Sequence, residues 1–184
     1  MAHQISSSIR RRAEHLTGAL PATSGAPIRV RPATAKDRGR VRRIECACFG
    51  RARFLFGLWP RTGSRDALTW VAESGGRPAG YLIAYDHELD GRLIAYVGGV
   101  GVLPEFRQQG IGTRLMNALR AGRRPVWLHV RAGNTAAVSM YLKYGMRELR
   151  REARFYSDGE DALVMVTPDV VQGLEAFERL TQAA

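Results

Sequence analysis

Apolar residues along this chain follow two alternating periods, one of about two residues and one of about three and a half. Alternating or continuous apolar runs bounded by Gly, Asp or Ser indicate strands, and apolar residues at i, i+3 and i+4 indicate helices. The predicted strands are Ile28–Arg31, Leu68–Glu73, Ala79–Tyr85, Leu93–Val102, Val126–Arg131, Glu148–Tyr156 and Ala162–Val166. The predicted helices are Thr34 to about Phe49, Thr113 to Arg120, Asn134 to Tyr144 and Thr167 to Ala184.

Turn and cap residues support these boundaries. Thr34, followed three residues later by Asp37, has the pattern of a capping box that opens a helix. The short turns at 74–76, 90–91 and 157–159 contain Gly with Ser or Asp, which is typical of hairpins between antiparallel strands. The element order therefore predicts an α/β fold with a mixed, mostly antiparallel central sheet flanked by helices.

The length of 184 residues suits one domain with a sizeable core. We expect a mobile basic tail over residues 1–27, the domain over 28–168 and a helical extension over 169–184. No apolar run approaches the roughly 20 residues that a membrane-spanning helix needs, so we expect no membrane partner. Large apolar residues between Phe54 and Trp59 could form one lip of a groove or pack as core.

The net charge of +11 comes almost wholly from arginine, because Lys36 and Lys143 are the only lysines. This balance favours acidic partners, although a genome that encodes arginine readily would produce it too. The arginines are not interleaved with aromatic residues, so we predict no direct nucleic-acid module. Cys46 and Cys48 fall short of a zinc site and are poorly placed for a disulfide, so we expect no metal and a reducing, cytoplasmic location.

The segment from Val100 to Gly112 carries the clearest chemistry. An apolar strand leads through Pro104 into a turn rich in amide, basic and glycine residues, and the turn opens onto a helix. A helix start offers unpaired N–H groups and the positive end of the helix dipole, and Gly110 and Gly112 let an anion approach the backbone. We therefore predict a phosphate or pyrophosphate site.

Two familiar glycine loops do not fit this segment. No lysine follows Gly112, as a nucleotide-triphosphate loop requires, and the spacing from Gly99 fails the dinucleotide fingerprint. Instead, the run from Arg107 to Gly112 resembles the R/Q-x-x-G-x-G/A signature of the GNAT acetyltransferase superfamily. The resemblance implies that acetyl-coenzyme A is the co-substrate. It implies binding through Val100, Gly101, Val102, Arg107, Gln108, Gln109, Gly110, Ile111, Gly112 and Thr113.

A second motif extends this resemblance over about residues 28–168. Asn134, Tyr141 and Gly145 match the family pattern N-x-x-A-x-x-x-Y-x-x-x-G-F, in which Met146 replaces the final Phe. The resemblance implies that Asn134 helps to hold coenzyme A and that Tyr141 is the general acid for the leaving thiolate. A helix cap at Asn134 and a core position for Tyr141 are the alternatives.

The stretch from Trp127 to Asn134 is most similar to ribosomal-protein-alanine N-acetyltransferases, which carry a glutamate base at the position of His129. A neutral imidazole can accept a proton from an ammonium, so His129 is a candidate general base, with a structural histidine as the alternative. Phe155 and Tyr156 resemble the substrate hairpin of protein N-terminal acetyltransferases and are candidate acceptor-binding residues. Trp127, His129 and Arg131 are predicted to share one strand face.

The sequence therefore predicts an N-acetyltransferase that transfers acetyl directly, without metal or covalent intermediate, to a protein N-terminal α-amine. Through the resemblance, a ribosomal protein is one candidate acceptor. A lysine or small-amine acetyltransferase and a non-catalytic acyl-CoA-binding module remain alternatives. The oligomeric state is left open.

Overall fold

The computed structural model of the protein describes residues 26–50, 67–89, 91–122 and 124–170. Its strands are β1 (Ile28–Pro32), β2 (Ala67–Ser74), β3 (Arg77–Leu89), β4 (Arg92–Val102), β5 (Val126–Arg131), β6 (Arg147–Glu152) and β7 (Ala162–Val166). Its α-helices are α1 (Arg38–Phe49), α2 (Ile111–Arg120) and α3 (Thr135–Lys143). Short 3-10 turns occupy Ala35–Asp37 and Pro104–Phe106.

The strands form one seven-stranded sheet in the order β1-β2-β3-β4-β5-β7-β6. Every neighbouring pair is antiparallel except β4 and β5, which are parallel and connected through α2. The predicted mixed, mostly antiparallel α/β fold is thus confirmed.

Helices cover both faces of the sheet. Helix α2 has the apolar period that its sequence predicts, and it buries Leu115, Met116 and Leu119 against one face. On the other face, Val41 and Ile44 of α1 pack against β2 and β3. A smaller apolar cluster lies beside β5 on this second face and consists of Ile94, Trp127, Val164, Val166 and Val170.

The connection from β1 to α1 is organised around one buried carboxylate. Asp37 is 1% exposed, and both of its oxygens accept hydrogen bonds from Arg31, at 2.8 and 2.9 Å. The backbone N–H of Thr34 donates to Asp37 at 2.9 Å, as the predicted capping box requires, and the Thr34 hydroxyl donates to the same carboxylate at 2.9 Å. Glu73 of β2 accepts a hydrogen bond from Arg31 at 2.8 Å, so the same arginine connects the β1–α1 segment to the neighbouring strand.

Several predicted boundaries were wrong, and β3 runs from Arg77 to Leu89 rather than from Ala79 to Tyr85. Strand β6 ends at Glu152 rather than Tyr156, because Arg154 adopts a positive φ of 53° and its N–H bonds the Asp161 carboxylate at 2.9 Å. Phe155 and Tyr156 therefore belong to a loop. Helix α2 begins at Ile111, two residues before the predicted start, and Gly110 precedes it.

Other predictions lie partly or wholly outside the described residues. These are the basic tail up to residue 25, the apolar stretch 51–66 and the C-terminal helix beyond residue 170. Within the described part, Val170 donates to the Thr167 carbonyl at 3.0 Å in a turn that follows β7. The domain limits at residues 28 and 168 remain predictions.

We predict that Asp37→Asn lowers the free energy of unfolding at pH 7 by about 2 kcal/mol, because it removes the carboxylate that faces Arg31. Arg31 holds the pKa of Asp37 well below its usual range. A lowered pKa stabilises the fold above the unfolded-state pKa, near 3.9, and this contribution disappears as pH falls toward the folded value.

Urea denaturation of both proteins across pH 3–7 measures this difference. The stability gap between Asp37→Asn and the unsubstituted protein should narrow as the pH falls below about 4. Glu105→Gln, at an exposed carboxylate, is the control and should change stability little. A gap that stays constant across this range would contradict the prediction.

Candidate functional site

Strands β4 and β5 stay paired over only three positions and then separate. The paired segments are Ala95–Val97 and Val126–Leu128. Directly after the last pair, the register of β4 against β3 shifts so that Gly98 is the extra residue of a bulge. A bulge bends its strand and increases the local twist, so the second half of β4 turns away from β5.

The divergence opens a gap between the two parallel strands. Among the described strands, the part of β4 from Gly98 to Val102 pairs only with β3. Both parallel strands end at the same edge of the sheet, and a helix begins after each. Ligands of open α/β sheets bind in such a crevice beyond the carboxyl ends of the strands, so this gap is the candidate site.

The start of α2 presents open backbone amides at the gap. Gly110 precedes the helix with a φ of 73°, and no described side chain caps the helix end. The first helical hydrogen bond runs from the Arg114 N–H to the Gly110 carbonyl at 3.0 Å. The N–H groups of Ile111, Gly112 and Thr113 come before it and have no partner within the helix. This arrangement fits a phosphate.

The turn before α2 is held by its own side chains. Arg107 donates through Nε to the Val102 carbonyl at 3.2 Å, and Gln109 donates through Nε2 to the Glu105 carbonyl at 3.4 Å. Gln108 has a positive φ of 62°, a conformation that is uncommon outside glycine. The predicted signature residues therefore shape an exposed loop around the helix start.

Other signature residues face the protein interior. Ile111 is buried in the core, so only its backbone is available to a ligand. A Cβ on Gly101 would lie 2.6 Å from the Tyr81 ring, and a Cβ on Gly112 would lie 2.5 Å from Sδ of Met140 in α3. The space beside Gly112 is thus taken by α3, whereas a Cβ on Gly110 would meet nothing within 4 Å.

Asn134 caps helix α3 as its spacing predicts. Its Oδ1 accepts a hydrogen bond from the Ala137 N–H at 3.2 Å. The side chain is exposed at the edge where β5 ends. A contact with coenzyme A at Asn134 remains a prediction.

Tyr141 lies on the inner side of α3 and is 6% exposed. Burial raises the pKa of Tyr141 well above its ordinary value, and the nearby Tyr156 adds to this effect. The phenol therefore keeps its proton at neutral pH. The predicted acid and one predicted acceptor-binding residue are brought close together.

His129 lies on β5 in an aromatic environment. The Phe155 ring stacks on its imidazole with centroids 4.2 Å apart, and the rings of Trp127 and Tyr96 approach edge-on at 5.4 and 5.9 Å. Burial lowers the pKa of His129, while the charge of Glu152 opposes this effect. The imidazole is therefore neutral at pH 7, as a proton acceptor must be.

A network around Arg131 holds the loop that carries Phe155 and Tyr156. The Arg131 guanidinium binds the carboxylates of Asp158 and Glu160 and lies 4.0 Å from the centre of the Tyr156 ring. The Phe155 ring meets the Tyr156 ring edge-on at 5.1 Å. The ring contacts therefore run from Tyr156 through Phe155 to His129.

Sequence reasoning missed Tyr96 and Glu152 of this site. Nδ1 of His129 lies 3.4 Å from the Tyr96 hydroxyl, and Nε2 lies 3.1 Å from Oε2 of Glu152. These residues come from separate elements, and no short motif in the sequence connects them with His129.

Within the described part of the chain, no group of three or more His, Cys, Asp or Glu side chains could hold a metal ion. No helix in the described ranges is long and apolar enough to cross a membrane. Cys46 and Cys48 are both free thiols on α1.

Comparison with known proteins gives one family. The sequence profile of the acetyltransferase (GNAT) family matches residues 39–146. The chain is 34% identical over 113 residues to N-alpha-acetyltransferase 20 of Dictyostelium discoideum, an alignment that covers 58% of this chain and 62% of that protein. The chain thus spans about three fifths of the length of this curated relative.

Solved structures share the fold. The ribosomal-protein-S18-alanine N-acetyltransferase of Escherichia coli superposes with a TM-score of 0.66 at 25% identity, covering 77% of this chain and 94% of that one. The Arabidopsis thaliana NAA60 structure in complex with acetyl-CoA gives a TM-score of 0.68 at 22% identity, covering 76% of this chain and 98% of that one.

The helix start at Gly110 yields a stability prediction. Gly110→Ala should destabilise the protein by about 1 kcal/mol, because a Cβ strains the left-handed conformation, and Gly110→Asn should cost less. The control is Gly39→Ala in α1, where an added Cβ would make only an ordinary contact with Nη1 of Arg43, at 4.0 Å. That change should stabilise by roughly 0.5–1 kcal/mol. Urea denaturation measures all three, and a stabilising Gly110→Ala would contradict the prediction.

Proposed function

Because this chain belongs to the acetyltransferase (GNAT) family, we propose that it transfers an acetyl group directly from acetyl-CoA to the α-amine of a protein N-terminus. The observation that carries this proposal is the pair of ring contacts from Tyr156 through Phe155 to a neutral His129, with the buried, protonated Tyr141 near enough to Tyr156 for the two phenols to interact electrostatically. This proximity supports an acid and a base acting in one site beside the open start of α2.

The residues at the gap fit acetyl-CoA. The open amides of Ile111, Gly112 and Thr113, together with the Gly110 turn, suit the pyrophosphate. The edge of β4 from Val100 to Val102 and the exposed Asn134 would bind the pantetheine arm. When bound, acetyl-CoA supplies an activated acetyl thioester. The Arabidopsis fold neighbour was solved with this molecule, which supports the assignment.

We propose that His129 is the general base. Burial lowers the pKa of its imidazole, so the side chain is neutral at pH 7. One ring nitrogen then has a lone pair that can accept a proton from the amine, directly or through a water. The Tyr96 hydroxyl lies beside Nδ1 of the ring, and the Glu152 carboxylate lies beside Nε2.

We propose that Tyr141 is the general acid. Its raised pKa keeps the proton on the phenol oxygen until a stronger base appears, and a departing thiolate is such a base. Tyr141 lies seven residues after Asn134 on α3, about two helical turns, which puts both side chains near one face of the helix and supports this role.

The energetics favour an α-amine as the acceptor. An N-terminal amine has a pKa near 7.8, whereas a lysine amine has one near 10.4, so presenting a neutral lysine costs about 3.5 kcal/mol more. An imidazole base therefore suits an N-terminal amine, which loses its proton more easily than a lysine amine does. The Dictyostelium relative is named for α-amine acetylation and the Escherichia coli structure for a ribosomal alanine, which makes a ribosomal N-terminus one candidate. The free thiols of Cys46 and Cys48 fit the reducing cytoplasm.

We predict that the protein acetylates N-terminal peptides faster than lysine-only peptides or polyamines. A panel of peptides with varied first residues, assayed with acetyl-CoA by thiol release and mass spectrometry, measures this directly. Acetylation confined to lysine or polyamine amines would show that the proposed N-terminal acceptor is wrong. Coenzyme binding without turnover on any amine would favour a non-catalytic module.

We predict that Tyr141→Phe lowers kcat by about 100-fold and leaves the Kd for acetyl-CoA nearly unchanged, because the ring stays and only the hydroxyl, with its proton, is lost. Tyr144→Phe, at the end of the same helix, is the matched control and should retain kcat. Steady-state kinetics and calorimetric titration separate the two effects. Wild-type turnover in Tyr141→Phe would remove this residue as the acid.

A further inference from the structure

Glu152 reaches His129 because β6 carries a bulge. The register of β6 against β7 shifts between Glu148 and Arg150, so that Arg150 pairs with Val164 and Glu152 pairs with Ala162. Val164 also pairs with His129 across β7, and paired residues of neighbouring strands point to one face. If β6 paired regularly beyond Glu148, Arg150 would lie opposite Leu163, and Arg150 and Glu152 would point to the opposite face.

The Glu152 carboxylate is itself held in place. Its Oε1 accepts two hydrogen bonds from Arg150, at 3.0 Å from Nε and 2.7 Å from Nη2, which leaves Oε2 directed at Nε2 of His129. Such a two-point contact with an arginine fixes the orientation of the carboxylate. Phe155 stacks on the imidazole and limits its rotation.

An ionised carboxylate accepts hydrogen bonds and cannot donate one. Nε2 of a neutral His129 must therefore carry the proton in order to bond Glu152, and the lone pair lies on Nδ1. Nδ1 faces the Tyr96 hydroxyl at 3.4 Å, which can donate to it.

We propose that Glu152, held by Arg150, is a positioning residue that fixes His129 in the Nε2-protonated form and makes Nδ1 the basic atom of the acceptor site. The inference rests on the proposed function of His129 as base. In the transfer step the amine, or a water between it and the imidazole, takes the place of the Tyr96 hydroxyl at Nδ1, which gains the proton that the amine loses, and Glu152 stabilises the resulting imidazolium without taking a proton itself.

The charges around His129 set the expected direction of its pH response. Among the described residues, Glu152 and Arg150 face the imidazole from β6 and Tyr96 faces it from β4, while Val164 of β7 is apolar. The Glu152 charge raises the pKa of His129, and burial and the Arg150 charge lower it. Loss of the Glu152 charge should therefore move the acidic limb of the pH–rate profile to lower pH.

Two variants separate charge from hydrogen bonding. Glu152→Gln keeps an acceptor for Nε2 but removes the negative charge, so we expect the Nε2-protonated form to persist, kcat/KM at neutral pH to fall less than in Glu152→Ala and the acidic limb to move to lower pH. Glu152→Ala removes the acceptor, so we expect a mixture of tautomers and a kcat/KM lower by roughly 10- to 100-fold, part of what a positioned base contributes. Glu148→Gln, exposed on the same strand, is the control and should change neither property.

Nitrogen-15 NMR of the full-length protein reads the tautomer without any substrate, with the His129 signals assigned by their loss in His129→Gln. An Nδ1-protonated His129, or a tautomer and profile unchanged in Glu152→Ala, would overturn the positioning role. Absence of acetylation in the unsubstituted protein would instead overturn the proposed function. The NMR result would still decide whether Glu152 sets the tautomer. Circular dichroism confirms that each variant is folded.

Discussion

The glycine bulge in β4 is the constraint on which the site depends. A Cβ on Gly98 would lie 2.7 Å from the Tyr85 ring, so the bend requires a residue without a side chain. The bend ends the parallel pairing of β4 with β5 after three positions while both strands continue toward the same edge. The gap, the exposed edge of β4 and the meeting of two helix starts all follow from that departure.

The acceptor side of the gap depends on contacts that are distant in sequence. His129 on β5, Tyr96 on β4 and Glu152 on β6 meet only because strand pairing and a second bulge bring them to one face. The buried aromatic surroundings lower the pKa of the imidazole, and the neighbouring carboxylate restrains that change. The bulge in β4 thus shapes the side of the site near the start of α2, and the bulge in β6 shapes the side near His129.

The sequence predicted what is determined locally. The segment from Val100 to Gly112 contains its strand, turn and helix start within a few residues, and the cap at Asn134 depends on its own helix, so both were predictable. The end of β6 was not, because Arg154 takes a left-handed conformation that the Asp161 carboxylate stabilises from across the loop. Glu152 escaped notice because its direction depends on a register shift against β7, which alternation within β6 does not reveal.

The two helices that begin at the gap differ in whether the protein itself supplies a negative charge at the helix start. At α3, the Asn134 side chain occupies one amide, and the preceding Gly133 N–H donates to the Glu160 carboxylate at 2.9 Å, so the protein supplies its own negative charge there. At α2, Gly110 supplies none. Of the two helix starts at the gap, the start of α2 is therefore the one that favours an anionic group.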